Sequence, residues 1–168
     1  VAQIDANQHT TTFAYDQLGR RIQRILPGGQ VETYGYNTAG NLISKTDFNG
    51  FTTTYSYDAL NRLLQKSPDA RLLASGSSPV TFEYNALGER TAMTDASGVT
   101  TYAYDQRDRL IQKTIAWGGT SSLSAVLAQA GTSSLNYAYD ENGNVTSIKS
   151  SHLNGTEVAY ECDALNRL

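Results

Sequence analysis

Aromatic side chains recur at alternate positions in short bursts, each ending on an acidic or amide residue. Phe13 and Tyr15, Tyr34 and Tyr36, Tyr55 and Tyr57, Phe82 and Tyr84, Tyr102 and Tyr104, and Tyr137 and Tyr139 are each separated by one residue. That spacing puts both rings of a pair on one face of a strand. A further burst pairs Tyr160 with Cys162. Thr12, Thr33, Thr54, Thr81 and Thr101 precede the bursts and add a preference for extended backbone. After the second ring comes Asp16, Asn37, Asp58, Asn85, Asp105, Asp140 or Asp163, whose side-chain oxygen can take backbone N–H groups just ahead and start a turn. Four residues past the anchor stand Gly19, Gly40, Asn61, Gly88, Asp108, Gly143 and Asn166, the residue types that best tolerate a left-handed backbone. The chain then departs as a second strand, through Leu42 and Ile43, Leu63 and Leu64, Leu110 and Ile111, or Val145 and Thr146. Link turns follow at Pro27 to Gly29, Asp47 to Gly50, Asp95 to Gly98, and Asn154 to Gly155.

The pattern predicts an all-β chain of tandem antiparallel β-hairpin repeats, one array over residues 1–168. Its copies are anchored at Tyr15, Tyr36, Tyr57, Tyr84, Tyr104, Tyr139 and Cys162, with spacings of 21, 21, 27, 20, 35 and 23 residues. The two long spacings are insertions. Residues 68–79 read as a surface loop. Residues 116–135 are expected to leave the ladder and to hold the only helical turn, between Ser122 and Gly131, with Trp117 and Leu127 packed on the sheet. A sharper alternative makes that insertion a plug or contact element. In the second strands, Leu42 with Ser44 and Ile43 with Lys45 leave neither face cleanly apolar, which predicts a sheet wetted on both sides. One hairpin is too small to be stable alone, so neighbours must share their burial.

The run from Tyr57 through Asp58, Ala59, Leu60, Asn61 and Arg62 to Leu63, and that from Tyr15 through Asp16, Gln17, Leu18 and Gly19 to Arg20, resemble the YD repeats of the Rhs family. Departures are Cys162 for the anchor tyrosine, Asn41 and Glu89 for the arginine after the turn, and Arg107 for leucine. The resemblance implies a sheet ribbon that spirals into a hollow shell, as in bacterial polymorphic toxins, Tc toxin complexes and teneurins. Such shells enclose a C-terminal toxin or present an adhesive surface.

Composition changes this picture little. A formal charge of −3 and a pI near 5.3 speak against nucleic acid as a partner. No run is long and apolar enough to span a bilayer. The single Cys162 excludes an internal disulfide, and it reads as a buried structural thiol. His9 and His152 both read as exposed turn residues, which leaves no base for a nucleophile–histidine site. The stretch Asp140 to Asn144 faintly resembles a calcium loop but falls in step with the other turns. Asn144 and Asn154 each begin a glycosylation sequon, relevant only in a secreted eukaryotic protein. The arginine column, Arg20, Arg62, Arg109 and Arg167, is expected to pair with turn carboxylates.

Catalytic residues, metal sites and cofactors are therefore expected to be none, with Tyr15, Asp16, Gly19, Tyr36, Asn37, Gly40, Tyr57, Asp58, Tyr84, Asn85, Gly88, Tyr104, Asp105, Tyr139, Asp140 and Gly143 as structural anchors. Two readings of function stand. One is a structural segment of a cocoon around a toxin or other cargo domain, secreted or at a bacterial cell surface. The other is a surface-displayed array that binds carbohydrate or protein. In either case the terminal strands, 1–5 and 157–162, are expected to offer open edges through which the isolated chain self-associates.

Overall fold

The computed structural model describes residues 1–73, 75–117, 131–151, 155–163 and 165–167. Its strands are β1 (Ala2–Ile4), β2 (Thr10–Tyr15), β3 (Arg21–Ile25), β4 (Val31–Tyr36), β5 (Leu42–Thr46), β6 (Thr52–Tyr57), β7 (Leu63–Ser67), β8 (Val80–Tyr84), β9 (Arg90–Asp95), β10 (Gly98–Tyr104), β11 (Leu110–Trp117), β12 (Thr132–Tyr139), β13 (Val145–Ser150) and β14 (Glu157–Ala159). They form one open antiparallel sheet of 14 strands in which spatial order equals chain order. The strands gather into two compact units, Val1–Thr81 and Phe82–Leu168.

Within each unit the hairpins share one irregularity. Register shifts by a residue at Ala14/Tyr15, Gly35/Tyr36 and Ser56/Tyr57 in the first unit, and at Ala103/Tyr104 and Ala138/Tyr139 in the second. The extra residue lies in the returning strand: Tyr36 pairs with Leu42 while Gly35 pairs with Ser44, leaving Ile43 as the bulge. This bulge corrects the mixed faces inferred from strict alternation. Leu42, Ile43 and Lys45 all lie on the side of Tyr34 and Tyr36, whereas Ser44 and Thr46 lie on the side of Gly35 and Thr33.

The sheet therefore has two distinct faces. One carries the aromatic pairs opposed by cations, with Phe13 opposite Arg24, Tyr34 opposite Lys45, Tyr55 opposite Lys66 and Tyr102 opposite Lys113. The other is built from small residues, polar in the first unit, whereas in the second unit it also carries Ala92, Val99 and Ala116. In the first unit Thr33 pairs with Thr46, Thr46 with Thr52, and Thr54 with Ser67, and the Thr46 and Thr52 hydroxyls are 2.9 Å apart.

Dry core is scarce. Among the described residues the buried apolar side chains are Ala92, Val99 and Ala116, all in the second unit. There Gly98, at φ +141°, lets β10 press against β11; a Cβ on it would lie 2.0 Å from the Ala116 carbonyl oxygen.

Two expectations about the insertions change. The loop at 68–79 contains a one-turn helix, α1 (Ala70–Leu73), opened by Asp69, whose carboxylate accepts the Arg71 N–H at 3.0 Å and the Thr52 N–H at 2.8 Å. The ladder also reaches further into 116–135 than expected. Ala116 pairs with Thr132, Ile115 with Ser133 and Lys113 with Leu135. The helical turn expected between Ser122 and Gly131 falls almost wholly outside the described residues, and so does Leu127. At the C-terminal end β14 stops at Ala159, so Tyr160 to Cys162 are not strand.

Candidate functional site: the turn edge and the tyrosine ladder

Each repeat turn is closed by its first residue. Asp16 Oδ1 accepts the N–H groups of Leu18 and Arg20, both at 2.9 Å, while the Gly19 N–H donates to the Asp16 carbonyl at 3.0 Å. Asp58, Asn85, Asp105 and Asp163 repeat this arrangement. The residue that closes the loop has positive φ every time, from Gly19 at +74° to Gly143 at +92°, and including Asn61 (+62°), Asp108 (+60°) and Asn166 (+59°). Link turns reuse the device: Asp5 Oδ1 accepts the Asn7 and His9 N–H groups, and Asp47 Oδ1 those of Asn49 and Phe51. The link turns were not seen in sequence as copies of the repeat turn, although Asp5 and Asp47 stand three residues before Gln8 and Gly50, both at positive φ.

The second carboxylate oxygen holds the arginine column. Arg20, Arg62, Arg109 and Arg167 donate Nε–H to the Asp Oδ2 of their own turns at 2.7–2.8 Å. Arg20 and Arg109 also reach the next turn: Arg20 Nη1 donates to the Asn37 carbonyl and Arg109 Nη1 to the Asp140 carbonyl, both at 3.1 Å. In doing so they cover the anchor rings, 4.8 Å from the Tyr36 centroid and 4.6 Å from that of Tyr139. Asn41 and Asn144 replace arginine and span the same gap with an amide, to Asn61 Oδ1 at 2.7 Å and Asn166 Oδ1 at 2.9 Å.

The anchor tyrosines complete the lock. Tyr36, Tyr57, Tyr104 and Tyr139 donate their hydroxyls to the carbonyls of Arg21, Leu42, Arg90 and Leu110, at 2.7–2.9 Å. Each acceptor lies six residues past the preceding anchor, at the start of the preceding hairpin's returning strand.

Charge divides between the faces. On the aromatic face, Arg21 lies 4.7 Å from the Tyr34 centroid and Arg90 4.7 Å from that of Phe82. Glu32, almost fully buried there, accepts from Lys45 at 2.7 Å and from the Tyr34 hydroxyl. The hydrogen bonds of Lys45 and Tyr34 keep its carboxyl below the usual range despite desolvation, which is the largest single influence and acts upward. In the second unit Glu83 and Glu157 lie on the polar face.

Candidates for chemistry resolve as parts of this frame. His9 is exposed, its ring nitrogen 3.2 Å from Asp5, where arginine stands in other turns. His152 lies outside the described residues. Both Asp140 oxygens are engaged by Asn144 at 2.8 Å, through its N–H and its side-chain amide. Cys162 is half-buried rather than buried. Among the described residues no three His, Cys, Asp or Glu side chains converge as a metal site would require, and no helix is long and apolar enough to cross a membrane.

The turn carboxylates fix a pH dependence. Backbone N–H donation by Arg20 and Arg62 holds Asp16 and Asp58 below the ordinary range, and the guanidinium of Arg109 does the same for Asp105. A folded-state pKa below the unfolded value means that the unfolded chain takes up protons first as pH falls. The stabilisation is fully present above roughly pH 5 and is lost as pH drops through about 4 and below. Thermal unfolding followed by circular dichroism should give a midpoint that is flat from neutral pH to about 5 and then falls steeply. Asp58→Asn, which keeps an Oδ1 acceptor but loses the charge, should flatten part of that fall. A midpoint unchanged at about pH 3 would contradict this role.

Comparison with known proteins follows the same lines. The RHS Repeat family matches residues 1–31, 36–72 and 84–121, more than half of the chain. No curated protein matches the sequence. Among solved structures, the chain is similar to TcdB2-TccC3 without its hypervariable C-terminal region, with a TM-score of 0.77 and 21% identity over 99% of this chain. It is also similar to the Photorhabdus luminescens Tc holotoxin pore carrying a TccC3 point mutation, with a TM-score of 0.72 and 20% identity over 95% of this chain. It spans only 9% of the length of either. With the family matched over more than half of its sequence, this chain belongs to the RHS repeat family.

Proposed function

We propose that this chain is a wall segment of a hollow β-sheet shell enclosing a toxin or other cargo domain of a longer parent protein. The observation that carries the reading is the open ladder. Among the described residues every strand pairs with its sequence neighbours, β1 and β14 each pair on one side, and almost no dry core is built. Such a sheet is a wall and not a container for a site. The parent's neighbouring repeats would continue the ladder at β1 and β14, where Ile4 is 60% and Val158 41% exposed.

The turn tips support the same reading. Leu18, Leu60, Leu87 and Leu165 project with 69–77% of their surface exposed. Full burial of one leucine contributes about 1.5–3 kcal/mol, so exposed leucines at the turn tips of each unit suit contact with further layers of wall. The reading makes the chain structural and non-enzymic, with its turn aspartates engaged by backbone N–H groups and arginines. Secretion or display by a bacterium, and a C-terminal cargo, enter by analogy with the toxin complexes it resembles. Carbohydrate binding has less support, since guanidinium groups already lie over Tyr34, Tyr36, Phe82 and Tyr139.

Limited proteolysis of the full-length parent tests enclosure. The cargo domain should resist cleavage in the intact protein and be cut readily when residues 1–168 are deleted. Equal cleavage rates in both would overturn the proposal. The isolated chain should also self-associate through its open strands, seen as a rise in mass with concentration by light scattering. A constant monomer mass at high micromolar concentration would remove the open edges from the account.

A further inference from the structure

Copy seven differs from the others at one atom set. Tyrosine occupies six anchors, and Cys162 occupies the seventh. The tyrosines show what fills that position: a ring laid over the preceding hairpin, with its hydroxyl on the carbonyl six residues past the preceding anchor. Counted from Tyr139, that carbonyl belongs to Val145. A cysteine side chain ends one bond beyond Cβ and cannot reach it.

What remains is a cavity of about 330 Å³ lined by Asn144, Val145, Ile148, Tyr160, Cys162 and Asn166. Its walls are chiefly apolar, from Val145, Ile148 and the Tyr160 ring. An apolar cavity of about 150 Å³ already suffices to bind benzene. The polar rim is set without help from any ring. Asn144 Nδ2 donates to Asp140 Oδ2 at 2.8 Å and to Asn166 Oδ1 at 2.9 Å, and Asn142 Nδ2 to Asn166 Oδ1 at 3.3 Å. The cavity is thus held open by the two turns that flank it.

We propose that this cavity binds a phenolic ring, seated where the seventh tyrosine would lie and donating its hydroxyl to the Val145 carbonyl. The inference rests on the repeat geometry and stands apart from the shell reading. The ring can belong to a small free phenol or to a tyrosine of another polypeptide segment.

The probe is p-cresol, titrated into the 168-residue chain by calorimetry and ligand-observed NMR. Saturable binding is expected. Toluene, which lacks the hydroxyl, should bind roughly threefold to tenfold more weakly, as the loss of one hydrogen bond requires. Cys162→Tyr should abolish binding, since its own ring fills the space. N-acetyltyrosinamide separates the sources: binding comparable to p-cresol supports a polypeptide tyrosine, and binding of p-cresol alone supports a free phenol. Because the variant could fold poorly, a second readout uses the unaltered chain. Cys162 is its only thiol, so p-cresol should slow iodoacetamide alkylation measured by mass spectrometry. Failure of p-cresol either to saturate or to slow alkylation would overturn the proposal, as would a folded Cys162→Tyr chain that binds p-cresol equally well. Toluene binding as tightly as p-cresol would remove the hydroxyl contact to Val145.

Discussion

A hairpin of some twenty residues has too little apolar surface to offset the ordering of its own backbone, which costs about 1–2 kcal/mol per residue. Each hairpin in this chain must therefore be fixed on the one before it, and the anchor tyrosine supplies that fixation. Its ring covers the preceding returning strand, and its hydroxyl satisfies a carbonyl there, as Tyr57 does for Leu42 and Tyr139 for Leu110. The bulge beside each anchor is part of the same arrangement. It turns two successive residues, such as Leu42 and Ile43, toward the ring's face.

The turn residues act on the same contact from the other side. Asp16 closes its loop with one oxygen and aims Arg20 with the other, and Arg20 then lies over Tyr36 and bonds the next turn's backbone. One carboxylate thus sets a loop, a guanidinium and a ring. Where arginine is replaced, Asn41 and Asn144 preserve the bridge with an amide. Glu89 breaks the pattern: its Oε1 is buried with no hydrogen-bond partner among the described residues, and its charge acts on the anchor Tyr104.

The hairpins, their turns and the left-handed closing residues were legible because each depends on local chemistry within five residues, as in Asp16 to Arg20. The faces were not. Strict alternation separates Leu42 from Ile43, and only the bulge, whose position depends on pairing with Tyr36, puts both beside the aromatic row. The arginine column was legible as a partner of turn acids, but its reach to the next turn, as from Arg109 to Asp140 across 31 residues, depends on how neighbouring hairpins stack. Helix α1 was missed because four residues carry almost no periodic signal; its one local cue is Asp69 ahead of Ala70.

The central claim is that the anchor hydroxyl, and not aromatic burial alone, fixes neighbouring hairpins. Tyr55 and Tyr57 provide an internal control, since they share a strand and a face, yet only the Tyr57 hydroxyl has a hydrogen-bond partner among the described residues. Urea denaturation of Tyr55→Phe and Tyr57→Phe compares them directly. The account predicts a loss of about 1 kcal/mol for Tyr57→Phe, which leaves the Leu42 carbonyl without its donor, and almost none for Tyr55→Phe. Equal effects of the two substitutions would contradict it.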